Sequence, residues 1–337
     1  MLGSGLRPAI ARYLDESGLG APYLVSTPGQ AARARVYLEG MALAGHFASA
    51  AMHTPVTVTE QAMAGLAKVE ADCIVSFGGG SSTGLGKAIA VRSGLPLLAI
   101  GTTYGGSEMT SALGETSDGV KTTRNDPRIL PRATFYDVEL TIGLPANVSG
   151  ASGMNAIAHA VEAVYSLQAN PIITPIALDA IRTLSGALPQ LAANPDNRSA
   201  REAALRGACQ AGLCLNAVSM GLHHKLCHTL GGTFGLPHAE THAVLLPHAM
   251  AYNQPAVAEA AGQIAAALDA NDAALGLFRL QAEVAPARSL QALGMPQDGI
   301  DIAADLAAAN PYANPRPIDR GAIRDLIARA WAGTAPA

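Results

Sequence analysis

The sequence predicts an α/β domain with a parallel sheet over residues 1–148, followed by an all-α domain over residues 149–337. Three observations predict it. Short apolar runs alternate with helical segments through the first part. Two of those runs end in loops rich in glycine and hydroxyl residues. Beyond residue 149 the chain is Ala-rich, with helical periodicity and no convincing strand. At 337 residues, 49% hydrophobic and 14% charged, it has the length for two domains and the apolar content for a large core. The formal net charge is −4 without a Lys/Arg run, which argues against a nucleic-acid or anionic-membrane surface. Cys73, Cys209, Cys214 and Cys227 show no Cys-x-x-Cys spacing, so reduced thiols and a cytoplasmic location are expected. The start, Met1-Leu-Gly-Ser-Gly-Leu-Arg-Pro8, lacks the apolar core of a signal peptide, and no membrane span is expected.

Taken in order, Leu6 to Ser17 reads as a helix and Pro22 to Thr27 as a strand closed by Pro28-Gly29. Gln30 to Ala44 has helical periodicity, Pro55-Val-Thr-Val58 reads as a strand, and Glu60 to Glu70 as a helix. Cys73-Ile-Val-Ser-Phe77 is a short apolar run of the kind buried on both faces of a parallel sheet. It runs into Gly78-Gly79-Gly80-Ser81-Ser82 and a helix through Val91, and Leu95 to Ile100 is the next strand. Consecutive glycines let the backbone approach a ligand, and the helix N-terminus offers unpaired N–H groups to a phosphate. The pattern is neither Gly-x-Gly-x-x-Gly nor a P-loop, and a plain structural turn would use the same residues. A second polar loop, Gly101-Thr-Thr-Tyr-Gly-Gly-Ser-Glu-Met-Thr110, follows the next strand. Loops at consecutive strand ends lie where doubly wound sheets bind nucleotides, so together they point to a dinucleotide. Ser111 to Thr134 is polar. It reads either as a solvated hairpin or as a segment turning Lys121 or Arg124 toward an anionic substrate. Phe135 to Val138 is the last strand.

The second part opens with Gly150 to Tyr165, an apolar helix expected to be buried all round. Asn155, His159 and Glu162 lie on one stripe of it, and each needs a partner if buried. Helices are expected over Pro171–Pro189, Ser199–Met220, Val257–Leu277, Arg279–Leu293 and Arg320–Trp331, the last after a rigid connection, Asn310 to Pro317. Of nine histidines, His223, His224, His228, His238, His242 and His248 crowd into one short stretch. His224 and His228 are spaced to share a helix face, and His238 and His242 repeat that spacing after a Gly/Pro break. Imidazole titrates near neutrality and is the commonest metal ligand. A lone histidine is often a satisfied core or surface residue, but a cluster this dense marks a site.

The set Gly78-Gly-Gly-Ser81, Thr102 to Glu108, Asn155-x-x-x-His159 and His224/His228/His238 resembles the iron-containing (group III) alcohol dehydrogenases. The maleylacetate reductase branch is the closer match, through Gly114-Glu-Thr, His223 to Phe234, Leu236 to His242 and Asn310 to Pro317. The resemblance covers nearly the whole chain, and its specific part is the long motif from His224 to His242. It implies the dehydroquinate synthase-like architecture, an NAD(P)-binding domain before a helical catalytic domain, in a cytoplasmic homodimer. It further implies reduction of the carbon–carbon double bond of maleylacetate (4-oxohex-2-enedioate) to 3-oxoadipate, in aromatic-compound catabolism.

Metal-dependent members carry ligands at the positions of Asn155, His159, His224 and His238, the first of them an Asp. An amide oxygen is a poorer ligand than a carboxylate, so no metal is expected to be required here. Without a cation, the enolate formed by hydride addition needs hydrogen-bond donors. His159, His224, His228 and His238 are the candidates, and His242 or Tyr104 would supply the proton to the α-carbon. Lys225 is the first choice for a substrate carboxylate, with Lys121, Arg124 and Arg316 behind it. The resemblance places the cofactor pyrophosphate at Gly79, Gly80 and Ser81, near Thr102, Thr103 and Ser107. The strand ending Ser26-Thr27 lacks the Asp that would repel a 2′-phosphate, so NADPH is expected to serve beside NADH. The chain begins almost at the Gly3-Ser-Gly5 turn, so either the start is short or an edge strand is lost, and a loss would leave an unpaired sheet edge and weaken a dimer. Two alternatives stay open. One is a metal-dependent dehydrogenase of a small alcohol or aldehyde. The other is a non-redox lyase or cyclase of the same superfold.

Overall fold

Alternation of strand and helix builds the first of two compact units, Met1–Ile142, in the computed structural model, which describes residues 1–117, 120–309 and 312–337. At residues 120 and 121 it describes the backbone alone. The elements are β1 (Leu2–Gly3), α1 (Arg7–Glu16), β2 (Pro22–Ser26), α2 (Ala31–Tyr37), β3 (Gly45–Phe47) and α3 (Val56–Leu66). They continue as β4 (Cys73–Gly78), α4 (Gly80–Ser93), β5 (Leu97–Gly101), β6 (Ala112–Ser117), β7 (Val120–Asn125) and β8 (Ala133–Asp137). The sheet order is β1-β8-β5-β4-β2-β3, with every pairing parallel. Residues of β2, β4 and β5 are buried along their whole length, the burial that a sheet covered on both faces imposes. From β2 the chain steps outward to β3 and then crosses to β4 on the other side, so the strand order reverses between β2 and β4. Their carboxyl ends, where Ser26 pairs with Phe77, frame the switch point at which such sheets bind ligands.

Three expectations are corrected here. The helix expected over Gln30–Ala44 stops at Tyr37; a turn follows, Gly40 takes φ 84°, and β3 begins at Gly45. Pro55-Val-Thr-Val58 is not a strand. Pro55 precedes the first helical residue of α3, where its missing N–H costs nothing, and its carbonyl accepts from Val58 and Thr59. The β-branched residues suggested a strand, and the packing overrode that preference. The edge strand is not lost, since β1 pairs with β8 through Leu2–Tyr136 and Gly3–Asp137. The polar stretch after Ser111 does form a hairpin, β6 against β7. The side chain of Lys121 lies outside the described residues, and Arg124 is exposed on β7.

The second unit, Gly143–Ala337, is helical: α5 (Ala146–Tyr165), α6 (Ile173–Ala193), α7 (Arg198–Ala217), α8 (Leu222–Phe234) and α9 (His238–Asn253). Then come α10 (Ala258–Ala267), α11 (Ala273–Val284), α12 (Gly299–Ala309) and α13 (Arg320–Ala332). Helix α5 is buried without a break from Ser149 to Tyr165, as its all-round apolar sequence requires. Gly150 and Gly153 permit that depth: a Cβ at Gly150 would lie 1.8 Å from the Val284 carbonyl oxygen, and one at Gly153 2.4 Å from Leu188. The single helix expected over Val257–Leu277 is broken, because Asp269 takes φ 52° and Asp272 caps a new helix by accepting from Leu275 N. Arg279–Leu293 is not a separate helix either; α11 ends at Val284, just before Pro286. Helix α12 was not foreseen. Asn310 and Pro311 of the Pro-punctuated connection lie outside the described residues. Among the described residues no helix is long and apolar enough to cross a membrane.

Candidate active site

In the first unit, β4 delivers the chain to Gly78 at φ 141°, a backbone region that side chains rarely adopt. A Cβ on Gly79 would meet Thr103 Oγ1 at 2.7 Å, so the two polar loops touch there, whereas one on Gly80 would meet nothing. Helix α4 starts at Gly80 with no side-chain cap, leaving its first N–H groups to a ligand. The hydroxyls of Ser82 and Ser107 are buried without a partner, a costly state unless something polar joins them. Thr102 and Tyr104 are buried alongside. This cradle fits a pyrophosphate. At the end of β2, Ser26 Oγ lies 2.8 Å from His46 Nε2, while Arg35 Nε donates to His46 Nδ1 at 3.0 Å. Burial, then the Arg35 charge, lowers the His46 pKa, so the neutral ring carries its proton on Nε2 and donates it to Ser26. No carboxylate takes part.

In the second unit, α5 projects Asn155, His159 and Glu162 against the histidines of α8 and α9. Ring centroids lie 5.0 Å apart for His159–His224 and for His224–His242, and 4.4 Å apart for His238–His242. His228 stands 6.3 Å from His224 and 6.5 Å from His238. The predicted residues His159, His224, His228, His238 and His242 therefore come together, and Asn155 lies one turn before His159 on α5. His248 does not: its ring packs against Phe278. Tyr104 belongs to the first unit. Lys225 holds its ammonium 5.7 Å from the Tyr312 ring centroid. Arg316 stacks on Tyr252 and donates to its carbonyl, which gives that guanidinium a structural task.

Glu162 lies on the polar stripe expected of α5 but outside the residues expected to form the site. The structure puts it underneath. Its carboxylate accepts from His224 Nδ1 at 2.5 Å, His223 N at 3.0 Å, Gly221 N at 3.2 Å and Tyr165 Oη at 3.3 Å. Burial pushes the carboxyl up, but the His224 hydrogen bond and charge, with help from His223, outweigh it and hold the pKa at about 2. The signal was there, a Glu one turn beyond His159 on a buried stripe. His223, also missed, sits 3.0 Å from His242 Nδ1 through its Nε2, with Cys227 Sγ 3.6 Å away. Burial, reinforced by neighbouring imidazoles, lowers His159 and His242 far below the usual histidine range and His223 to about 3. Those three rings are neutral near pH 7. Asn155 Oδ1, His159 Nδ1, His224 Nε2 and His242 Nε2 are all buried without a partner.

A cation would look to such atoms, and the fit can be judged from the donors. Asn155, His159, His224 and His238 together offer no anion, and Glu162 is already engaged by His224 and by the backbone N–H groups of Gly221 and His223. Among the described residues, the three-ligand cluster with atoms within 4.8 Å is a different one, His223, Cys227 and His242. In it the His223–His242 hydrogen bond already pairs two of the donors. The four-residue set fits a divalent ion poorly.

Residues 1–138 match the family model for iron-containing alcohol dehydrogenase, and residues 149–331 that for the C-terminal region of the same family. The chain belongs to the iron-containing alcohol dehydrogenase family. Within it, the chain is 49% identical to a maleylacetate reductase of Burkholderia cepacia, covering 100% of this chain and 96% of that one. A Rhizobium sp. maleylacetate reductase is 48% identical with the same coverage. The crystal structure of maleylacetate reductase from Agrobacterium tumefaciens superimposes with a TM-score of 0.94 at 48% identity, covering 100% of this chain and 96% of that one. Its α/β domain with a parallel sheet and its helical domain are thus the family architecture.

Proposed function

We propose that this chain reduces the carbon–carbon double bond of maleylacetate to 3-oxoadipate with NADH or NADPH, and that it requires no metal. The observation that carries the reading is the Glu162-backed His224, whose Nε2 is buried and unpartnered beside the free polar atoms of Asn155, His159 and His242. Buried polar atoms left without partners call for a polar ligand, and the imidazole nitrogens among them are the groups that can donate to developing negative charge.

Bound NAD(P)H supplies a hydride to the alkene carbon remote from the ketone. With its Nδ1 engaged by the Glu162 carboxylate, His224 presents Nε2 to the ketone oxygen as it becomes an enolate. His242 is the second donor. In the tautomer in which His223 Nε2–H donates to His242 Nδ1, the His242 proton sits on Nε2. His159 and Asn155 complete the polar wall. The half-exposed His228, His238 and Lys225 face the substrate carboxylates, and a proton reaching the α-carbon through His242 finishes the reaction. Gly79, Gly80, Ser81, Thr102, Thr103, Ser107 and Thr27 hold the dinucleotide.

Activity is followed as loss of reduced-nicotinamide absorbance with freshly generated maleylacetate. Metal analysis of the purified protein should find far less than one equivalent, and a chelator should leave the rate unchanged. One tightly held transition ion, with activity lost on stripping and restored on return, would establish the metal-dependent reading instead. The carboxylate-free end of β2 carries a second expectation. NADPH should be used within about tenfold of NADH in kcat/KM, since a 2′-phosphate meets Ser26, His46 and Arg35 and no anion. Strict NADH dependence would count against it.

A further inference from the structure

Lys87 takes no part in the chemistry above, yet it is 1% exposed in the middle of the cofactor domain. Its Nζ donates to Ser107 O at 2.6 Å, Thr110 Oγ1 at 2.8 Å and Ala112 O at 2.8 Å, a partner for each of its N–H bonds. Burying an ammonium is expensive, and here burial, opposed by Glu108, pulls its pKa down to about 7. So costly a cation needs a task.

We propose that Lys87 is a positioning residue for the dinucleotide: its ammonium locks the loop after β5 to helix α4 and so presents Ser107 to the cofactor. The inference rests on the cofactor reading above and adds a residue to it. Helix α4 carries Gly80 and Ser81 at its N-terminus and Lys87 two turns on. The same rigid element thus holds one cofactor loop directly and the other through Lys87. Lys87 binds the Ser107 carbonyl, while the Ser107 hydroxyl is buried and left without a partner. Pinning a backbone while sparing its side chain is what preorganisation of a ligand donor looks like. Arg92, farther along α4, offers a contrast. It pairs with Glu115 of β6 at 2.9 Å and stitches the hairpin without touching the loop.

The test is NADH affinity, by fluorescence of the bound dinucleotide on variants checked for folding by circular dichroism, together with steady-state kinetics. Lys87→Met should raise the Kd and KM for NADH roughly tenfold or more, with kcat at saturating NADH within about twofold and the KM for the enedioate unchanged. Thr110→Val, which removes one acceptor and leaves the ammonium, should raise the NADH Kd about two- to fourfold. Arg92→Met should leave it unchanged. A folded Lys87→Met variant that binds NADH like the wild type overturns the proposal. If Lys87→Met does not fold, an unchanged Kd in Thr110→Val overturns it instead. A wild-type enzyme that binds NADH but fails to reduce maleylacetate would sink the proposed reaction and leave the Lys87 comparison intact. Wild type that binds no dinucleotide would sink both.

Discussion

Glu162→Gln is expected to lower kcat by about 10²–10³-fold while leaving the KM for NADH within a factor of about three, the scale on which loss of one preorganised donor to a developing oxyanion acts. The substitution keeps the shape of the side chain and removes its charge. The group that orients His224 through its Nδ1 is then neutral, and the ring's Nε2 is no longer polarised toward the enolate. The amide oxygen can accept from only one of His223 N and Gly221 N, which the carboxylate satisfies through separate oxygens, so the fold should survive with a measurable loss in melting temperature. Glu162→Ala is different. It strands His223 N and Gly221 N, which the carboxylate satisfies at 3.0 and 3.2 Å, and each orphaned group costs about 1–3 kcal/mol. Glu162→Asp, retaining the charge on a shorter arm, should recover part of the rate. Stopped-flow and steady-state rates on folded Glu162→Gln decide the matter. A kcat close to wild type would remove His224 from the role assigned to it.

The second large effect is on stability. Acid should unfold the helical unit cooperatively at about pH 4–5, because each neutral buried histidine contributes about 1.4 kcal/mol per pH unit. His159, His223 and His242 all have folded pKa values below their unfolded ones. Below the usual value near 6.5, the unfolded chain therefore binds protons that the folded chain refuses. Their contribution is complete above that pH and is lost as the pH falls toward the folded values. Together they remove about 4 kcal/mol per unit, against a total of about 5–15 kcal/mol for a typical domain. Glu162 has the same sign in a lower window. Its stabilisation is present above the ordinary carboxylate value and lost as pH falls through about 2. The imidazoles thus act first. Trp331, the one tryptophan, donates to Met295 O at 2.8 Å within this unit and reports the transition by fluorescence. A midpoint below about pH 3 would mean that these rings are not buried as neutral groups.

How much was legible beforehand differs from element to element. Cys73 to Phe77 was readable as a buried strand because a parallel strand covered on both faces tolerates almost nothing but apolar residues. The helix pairing of His224 with His228 was readable because a spacing of four survives any tertiary environment. Pro55 to Val58 was not, since the same four residues begin a helix or form a strand according to what packs on them. The break at Asp269 was equally hidden, for an Asp with positive φ leaves no periodic trace. Glu162 was visible only as a polar residue on an apolar stripe. Whether it faced solvent, a cation or an imidazole depended on where α8 began.

The order of residues by itself determined the chemical inventory: glycine loops at two strand ends, a dense set of imidazoles, an amide at position 155, and Ser26-Thr27 in place of a carboxylate directly after Val25. Tertiary structure decided which of those groups carry charge. Packing α5 against α8 and α9 excludes water from His159, His223 and His242 and makes them neutral, while the same packing sets a carboxylate under His224. Burial and proximity are long-range properties, and protonation follows them rather than residue type.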